Sequence, residues 1–319
     1  MKAWATSLVT LIALVAVGCA TNGLSGKALL PDGMDEAQVP QVESRGYLYF
    51  NPGSPVAVSG GLFNVIIPDG ELPESISIDR ATLILGNTTE NVGASLHFSS
   101  VDDSLAAWNL VADALEADDV WAQRRDEQLF LATGDQQWRG AVTDAYTGED
   151  LISVKDASPL NWKLLSNLPE SPPSKPVMAG VLQLDANLLK SLMASVNLGA
   201  EGIGNAFGLV RVKSMAFAVY TDDPLYFNTE FDYQYLVNSG SSILLVSQSS
   251  YPGPIVSFML GVVSDRTDLE LVKLGTTNAR YRQVDDLHLI IKNRGSLLYA
   301  AIATTRPGAE ELMLSALFN

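Results

Sequence analysis

The sequence predicts an α+β chain of two similar subdomains, each a mostly antiparallel sheet with helices packed on one side. Three observations carry this expectation. Residues 167–176, "NLPESPPSKP", hold four prolines, which preclude a helix and stiffen the chain into an extended connection. On either side of that break, short runs of β-branched and apolar residues alternate with turn-forming clusters and with segments of helical period. The order of these elements is alike on the two sides, which suggests an internal duplication.

The first side opens with a strand at "GYLYF", Gly46 to Phe50, and continues through "SIDRATLILGN" and "VGASLHFSS", separated by the turn residues "NTTEN". "SVDDSLAAWNLVADALEA" follows as an amphipathic helix. Ser100 stands three residues before Asp103, in the manner of a capping box. Val101, Leu105, Trp108, Val111 or Ala112, and Leu115 recur at the 3.6-residue period and are expected to face the core. "VWAQRRDEQLFLAT" reads as a hairpin turning at Arg125 to Glu127, and "DQQWRGAVTDAY" as a closing helix.

The second side begins with a strand, "VMAGVLQLD", then a helix, "ANLLKSLMASV", then two strands, "VKSMAFAVYT" and "LYFNTEFDYQYLV", joined by "DDP". The apolar run "IVSFMLGVV", Ile255 to Val263, is too short to span a membrane, which takes roughly 20 apolar residues. It is expected as a buried helix or strand. A hairpin from "ARYRQV" to "HLIIKN", a strand in "SLLYAAIATT" and a helix in "PGAEELMLSALF" complete the series. Pro307 suits the first turn of that helix, and Glu310 and Glu311 suit its positive end. The expected domains are 46–168 and 177–319, joined by a Pro-rich linker at 169–176. Residues 19–45, rich in small, polar, Gly and Pro residues, are expected as a flexible tether.

Residues 1–18 combine Lys2, an apolar stretch from Leu8 to Val17 and small residues before Cys19, the only cysteine in the chain. Ala16, Val17, Gly18 and Cys19 resemble the lipobox of bacterial lipoproteins, with Ala16 where that class usually has Leu. The resemblance implies that 1–18 is a signal peptide, that Cys19 becomes the N-terminus, and that its sulfur carries a diacylglycerol. Anchoring in the cell envelope follows, since each buried methylene contributes about 0.8 kcal/mol and two chains hold where one does not. Ala20 is not the Asp that retains some lipoproteins at an inner membrane, so in a host with two membranes the resemblance favours the outer one. With no second cysteine, no disulfide can form within the chain.

The charge balance is acidic, with 36 Asp plus Glu against 20 Lys plus Arg and a net charge of −16. A nucleic-acid binder needs a basic surface, so nucleic acid is not an expected partner. No spaced acidic loop of the calcium-hand type occurs; Asp222 with Asp223 and Asp285 with Asp286 read as turns. The two histidines, His97 and His288, lie in separate strands and make neither a zinc set nor an H-E-x-x-H motif. Neither "AVSGG" around Ser59 nor "NSGSS" around Ser241 has the glycines of a nucleophile elbow. The glycines from Gly199 to Gly208 have Phe207 where a dinucleotide fingerprint needs its third glycine. No catalytic, metal or cofactor-binding residue is assigned, and no cofactor is expected.

Trp162, beside the Pro-rich break, is the aromatic residue expected to contact a partner or the other domain. Three classes of function remain open. The foremost is a non-enzymatic envelope lipoprotein that binds or helps assemble another envelope protein. A carrier of a hydrophobic ligand such as lipid is the alternative, and would need an apolar cavity of several hundred Å3 or about that. A carboxylate-based hydrolase, with two carboxylates about 5 to 9.5 Å apart, ranks last.

Overall fold

The computed structural model describes residues 28–53, 56–58, 76–88, 90–115, 120–148, 150–157, 163–183, 212–223, 240–264, 269–284 and 286–318. Cys19, the signal segment, Trp162, the predicted helix "ANLLKSLMASV" and the predicted strand "LYFNTEFDYQYLV" lie outside the described residues. The fold is mostly antiparallel β-sheet with few helices, and the chain divides into two compact units.

In unit 1, Pro31–Pro159, β1 (Gln38–Pro40), β2 (Gly46–Phe50), β3 (Val56–Val58), β4 (Ile76–Leu85) and β5 (Val92–Phe98) precede helix α1 (Val101–Leu115). The hairpin β6 (Val120–Arg125) and β7 (Gln128–Thr133) follows, then α2 (Gln136–Gly148), β8 (Leu151–Ser153) and the single turn α3 (Val154–Ala157). The sheet order is β2-β4-β5-β7-β6, all antiparallel, with β3 pairing the first residues of β4. The hairpin turns at Asp126, whose φ of 49° is left-handed, a region an aspartate tolerates better than most residues.

Part of the stretch expected as a tether is instead packed. Met34 and Val39 are fully buried, β1 pairs with β8, and the Val154 N–H donates to the Ala37 carbonyl. Two apolar side chains and a two-stranded ladder outweigh the Gly, Pro and polar content that suggested a loose segment.

Unit 2 includes Leu160–Asp223 and Asp232–Asn319. It holds β9 (Pro176–Gln183), β10 (Val212–Tyr220), β11 (Ser242–Ser249), α4 (Gly253–Ser264), β12 (Glu270–Leu274), β13 (Thr277–Val284), β14 (Leu287–Arg294), β15 (Leu297–Ala303) and α5 (Arg306–Leu317). Its antiparallel order is β9-β10-β11-β15-β14-β13-β12. Thr305 caps α5 by accepting from the Gly308 N–H, with Pro307 in the first turn.

Among the described residues the two units follow the same path. Three neighbouring strands lead to a helix, antiparallel strands return so that the last lies beside the third, and a helix closes the unit. The return has two strands in unit 1 and four in unit 2.

The helices do not share one side of the sheet, contrary to expectation. In unit 1 Arg124 Nε donates to Ser104 Oγ of α1 at 2.8 Å, whereas Tyr146 of α2 stacks on Trp121 and tilts against Phe130. Arg124 lies opposite Leu129 and Trp121 opposite Ala132, so alternation puts α1 and α2 on opposite faces. In unit 2 Asn293 reaches Ser257 of α4 at 2.7 Å, while the Arg306 guanidinium at the start of α5 lies 4.5 Å from the centre of the Tyr281 ring. Tyr281 faces Ile290 across the ladder, and Asn293 is of the opposite parity, so α4 and α5 also lie on opposite faces. The inner strands of unit 2 are accordingly buried with almost no alternation, with Leu244, Leu245, Ala300 and Ala301 all fully covered.

Candidate interaction surface

Helix α4 is built from "GPIVSFMLGVVS", without a single charged residue. A helix apolar on all sides is normally buried all round. Here Val256 and Leu260 are buried, but Ile255 is 42% and Phe258 72% exposed, and Met259 and Val262 are half-buried. Ile255, Phe258 and Val262 form one stripe at helical spacing. The expectation of a fully buried segment for Ile255 to Val263 therefore holds for one side of the helix only.

The N-terminus of α4 is seated tightly, because a Cβ on Gly253 would stand 2.7 Å from the carbonyl oxygen of Gly295 in the β14–β15 turn. At its other end the buried Ser264 hydroxyl donates to the Leu269 carbonyl, just ahead of β12. These two fixed ends hold the outward stripe in place.

The same sheet face continues outward from α4 to the edge of unit 2. Leu271 pairs with Arg280 and Arg280 with Ile291, so all three lie on the face that Asn293 shares with α4. Leu271 is 60% exposed. Lys273 and Arg282 have the same parity as Leu271 and Arg280. In a chain of net charge −16, this face thus joins an apolar helix and leucine to three cations.

Unit 1 carries a counterpart at the same place in its path. The capping expected for α1 is present: the Asp103 N–H donates to Ser100 Oγ, and the Ser100 hydroxyl donates to Asp103 Oδ2. The buried face, however, is Ser104, Ala107 and Val111, while Val101 is 47% and Leu105 43% exposed and Trp108 is half-buried. Expected on the core face, Val101, Leu105 and Trp108 are turned outward or to the edge. Small residues let the helix approach the sheet, and Arg124 satisfies the Ser104 hydroxyl there.

Of the residues weighed for chemistry, Ser59 and Gly199 to Gly208 lie outside the described residues. In unit 1, His97 Nδ1 is 3.8 Å from Asp79 Oδ2; in unit 2, His288 Nδ1 is hydrogen-bonded to the Tyr281 hydroxyl at 2.8 Å. Ser241 is buried. No group of three or more His, Cys, Asp or Glu among the described residues is placed to hold a metal ion, and no helix among them is long and apolar enough to cross a membrane. Asp222 accepts the Lys175 N–H through Oδ1, in keeping with a turn. Sequence reasoning missed Phe258 and Leu271 as surface residues; an uncharged helix beside a charge-bearing edge strand was the signal available.

No protein-family model and no curated protein matches the chain. Among solved structures it is similar to crystal form I of TP0453, with 9% identity over 85% of this chain and 94% of that chain, at a TM-score of 0.33.

Proposed function

We propose that the chain is a lipid-anchored protein of the cell envelope, held through Cys19, that binds or helps assemble another envelope protein without catalysing a reaction. The observation that carries this reading is Phe258, 72% exposed beside Ile255 on a helix with no charge. A contiguous exposed apolar patch marks a place for a partner, and a few well-packed side chains carry most of the energy at such contacts. The lipobox resemblance supplies the anchor and, in a host with two membranes, an outer-membrane address. The shared path of the two units supports the internal duplication, with α1 as the counterpart of α4.

The test is photocrosslinking in living cells from a probe placed at Phe258. One defined envelope protein is expected in the adduct, and Ile255→Asp should abolish it while the protein stays folded and abundant. Absence of a reproducible adduct, with a fold-matched control site active, would overturn the reading. Cys19→Ser, followed with a clickable fatty acid, tests the anchor: label and membrane association should both be lost.

A further inference from the structure

We propose that the outer edge of β12, together with the face it shares with α4, takes an extended segment of the partner protein by strand addition. This rests on the reading of the chain as a binding module and names the form of what is bound. An edge strand offers a row of backbone N–H and C=O groups to another chain, and addition of an extended peptide is an established mode of recognition.

β12 has the features of a receptive edge. Among the described residues it pairs with β13 alone, over five positions with no bulge and no proline or glycine. Of the usual means of blocking such pairing β12 lacks the bulge and the proline but carries a lysine, Lys273, which deters general pairing and leaves the edge open to an acidic segment. Leu271, 60% exposed, is the second residue of this edge and lies on the α4 side. The edge strand of unit 1 differs. In β6 the Arg124 side chain is held by Ser104 and the Val101 carbonyl, and Arg125 reaches the Tyr146 carbonyl, so its side chains serve the unit's own helices.

Charge selects the segment. An added strand sets its side chains against those of β12 on each face in turn. On the α4 face it meets Leu271 and Lys273, with Arg280 one strand further in. An apolar residue opposite Leu271 and acidic residues near Lys273 and Arg280 complement that face. A second copy of a chain with net charge −16 would bring long-range repulsion rather than a matched segment.

The experiment uses the detergent-solubilised full chain and a synthetic peptide of Val-Thr-Glu-Thr repeats, whose Val and Glu share one face and can meet Leu271 and Lys273 in turn, with a Lys-for-Glu peptide and an N-methylated version of the acidic peptide as controls. Only the unmethylated acidic peptide should bind, and amide hydrogen exchange at Glu270–Leu274 should slow when it does. Lys273→Glu or Leu271→Asp should weaken binding by about tenfold. The proposal is overturned if no peptide binds, if binding leaves exchange in β12 unchanged, or if anionic vesicles alone protect the α4 face. Self-association that Leu271→Asp removes would assign the edge to a second copy and also overturn it. Loss of the peptide result with the Phe258 adduct intact removes this inference alone, whereas loss of the adduct removes the broader function.

Discussion

Among the described residues, units 1 and 2 trace the same route but fix the helix that follows the third neighbouring strand by different means. In unit 1, α1 is held by a polar clasp in which Arg124 donates to the Ser104 side chain and to the Val101 carbonyl. In unit 2, α4 is held by burial of Val256 and Leu260 and by close backbone contact at Gly253. Both arrangements leave apolar residues outward. The clasp draws Arg124 of β6 to α1 in unit 1; in unit 2 Lys273 and Arg280 lie on the sheet face that carries α4. One path thus yields two surfaces of different chemistry, which makes α4 the stronger candidate for a partner.

The largest test of this contrast lies in the sheets. Leu244 and Leu245 are on opposite faces of β11 and both are fully buried, so Leu→Ala at either should cost about 2–5 kcal/mol in urea unfolding. In unit 1 the same cost is expected at the buried Ile84, but its half-exposed neighbour Leu83 should lose markedly less. Equal losses at Leu83 and Ile84 would erase the contrast between the sheets. A Cβ on Gly93 would stand 2.7 Å from Ile84 Cγ2 and 3.2 Å from Val142, so Gly93→Ala should push α2 off its sheet. The expected cost is about 1–3 kcal/mol, read as a drop in Tm.

Caps come next. Ser100→Ala at α1 and Thr305→Ala at α5 should each cost about 1 kcal/mol, and a loss confined to one would show that the two helix starts are not equivalent. Alkaline titration compares the cores. Burial pushes the Tyr299 hydroxyl in unit 2 up to about 12 and raises those of Tyr47, Tyr146 and Tyr220 as well. A raised tyrosine stabilises the fold fully below its unfolded value near 10 and loses that contribution as pH rises through the folded value. Unfolding monitored by tyrosinate absorbance should therefore set in between about pH 10 and 12, with both units affected. The smallest effect on stability belongs to Phe258→Asp and Leu105→Asp, expected within about 0.5 kcal/mol. Only the first should abolish the Phe258-face contact in cells.

How much of this was readable in advance depends on what each signal measures. Helical period locates α1 and the Ser100 cap is plain in the sequence, but the expected core face differs from the one the structure buries. Periodicity ranks side chains by polarity and cannot register that Ser104 is satisfied by an arginine on another strand. β11, "SILLVSQS", carries no strand signal of its own, because a strand covered on both faces has no alternation to detect. The same two-sided covering defeated the expectation of helices on one side. In α4 the apolar run was visible, but a sequence cannot tell a helix buried all round from one whose outer half awaits a partner.

The place of β11 in unit 2 bears on the timing of folding. It pairs with β15, Ser242 opposite Ala303, across the whole of α4 and the three intervening strands, whereas the corresponding closure in unit 1 joins Val92 to Thr133. Loops of greater span close more slowly. A chain delivered from its N-terminus can complete the sheet of unit 1 while β15 is still to emerge, so unit 2 spends that interval with β11 unpaired on one side and open to misassociation. Folding of this protein is therefore expected to be sequential, and any factor that guards it should be needed longest at β11.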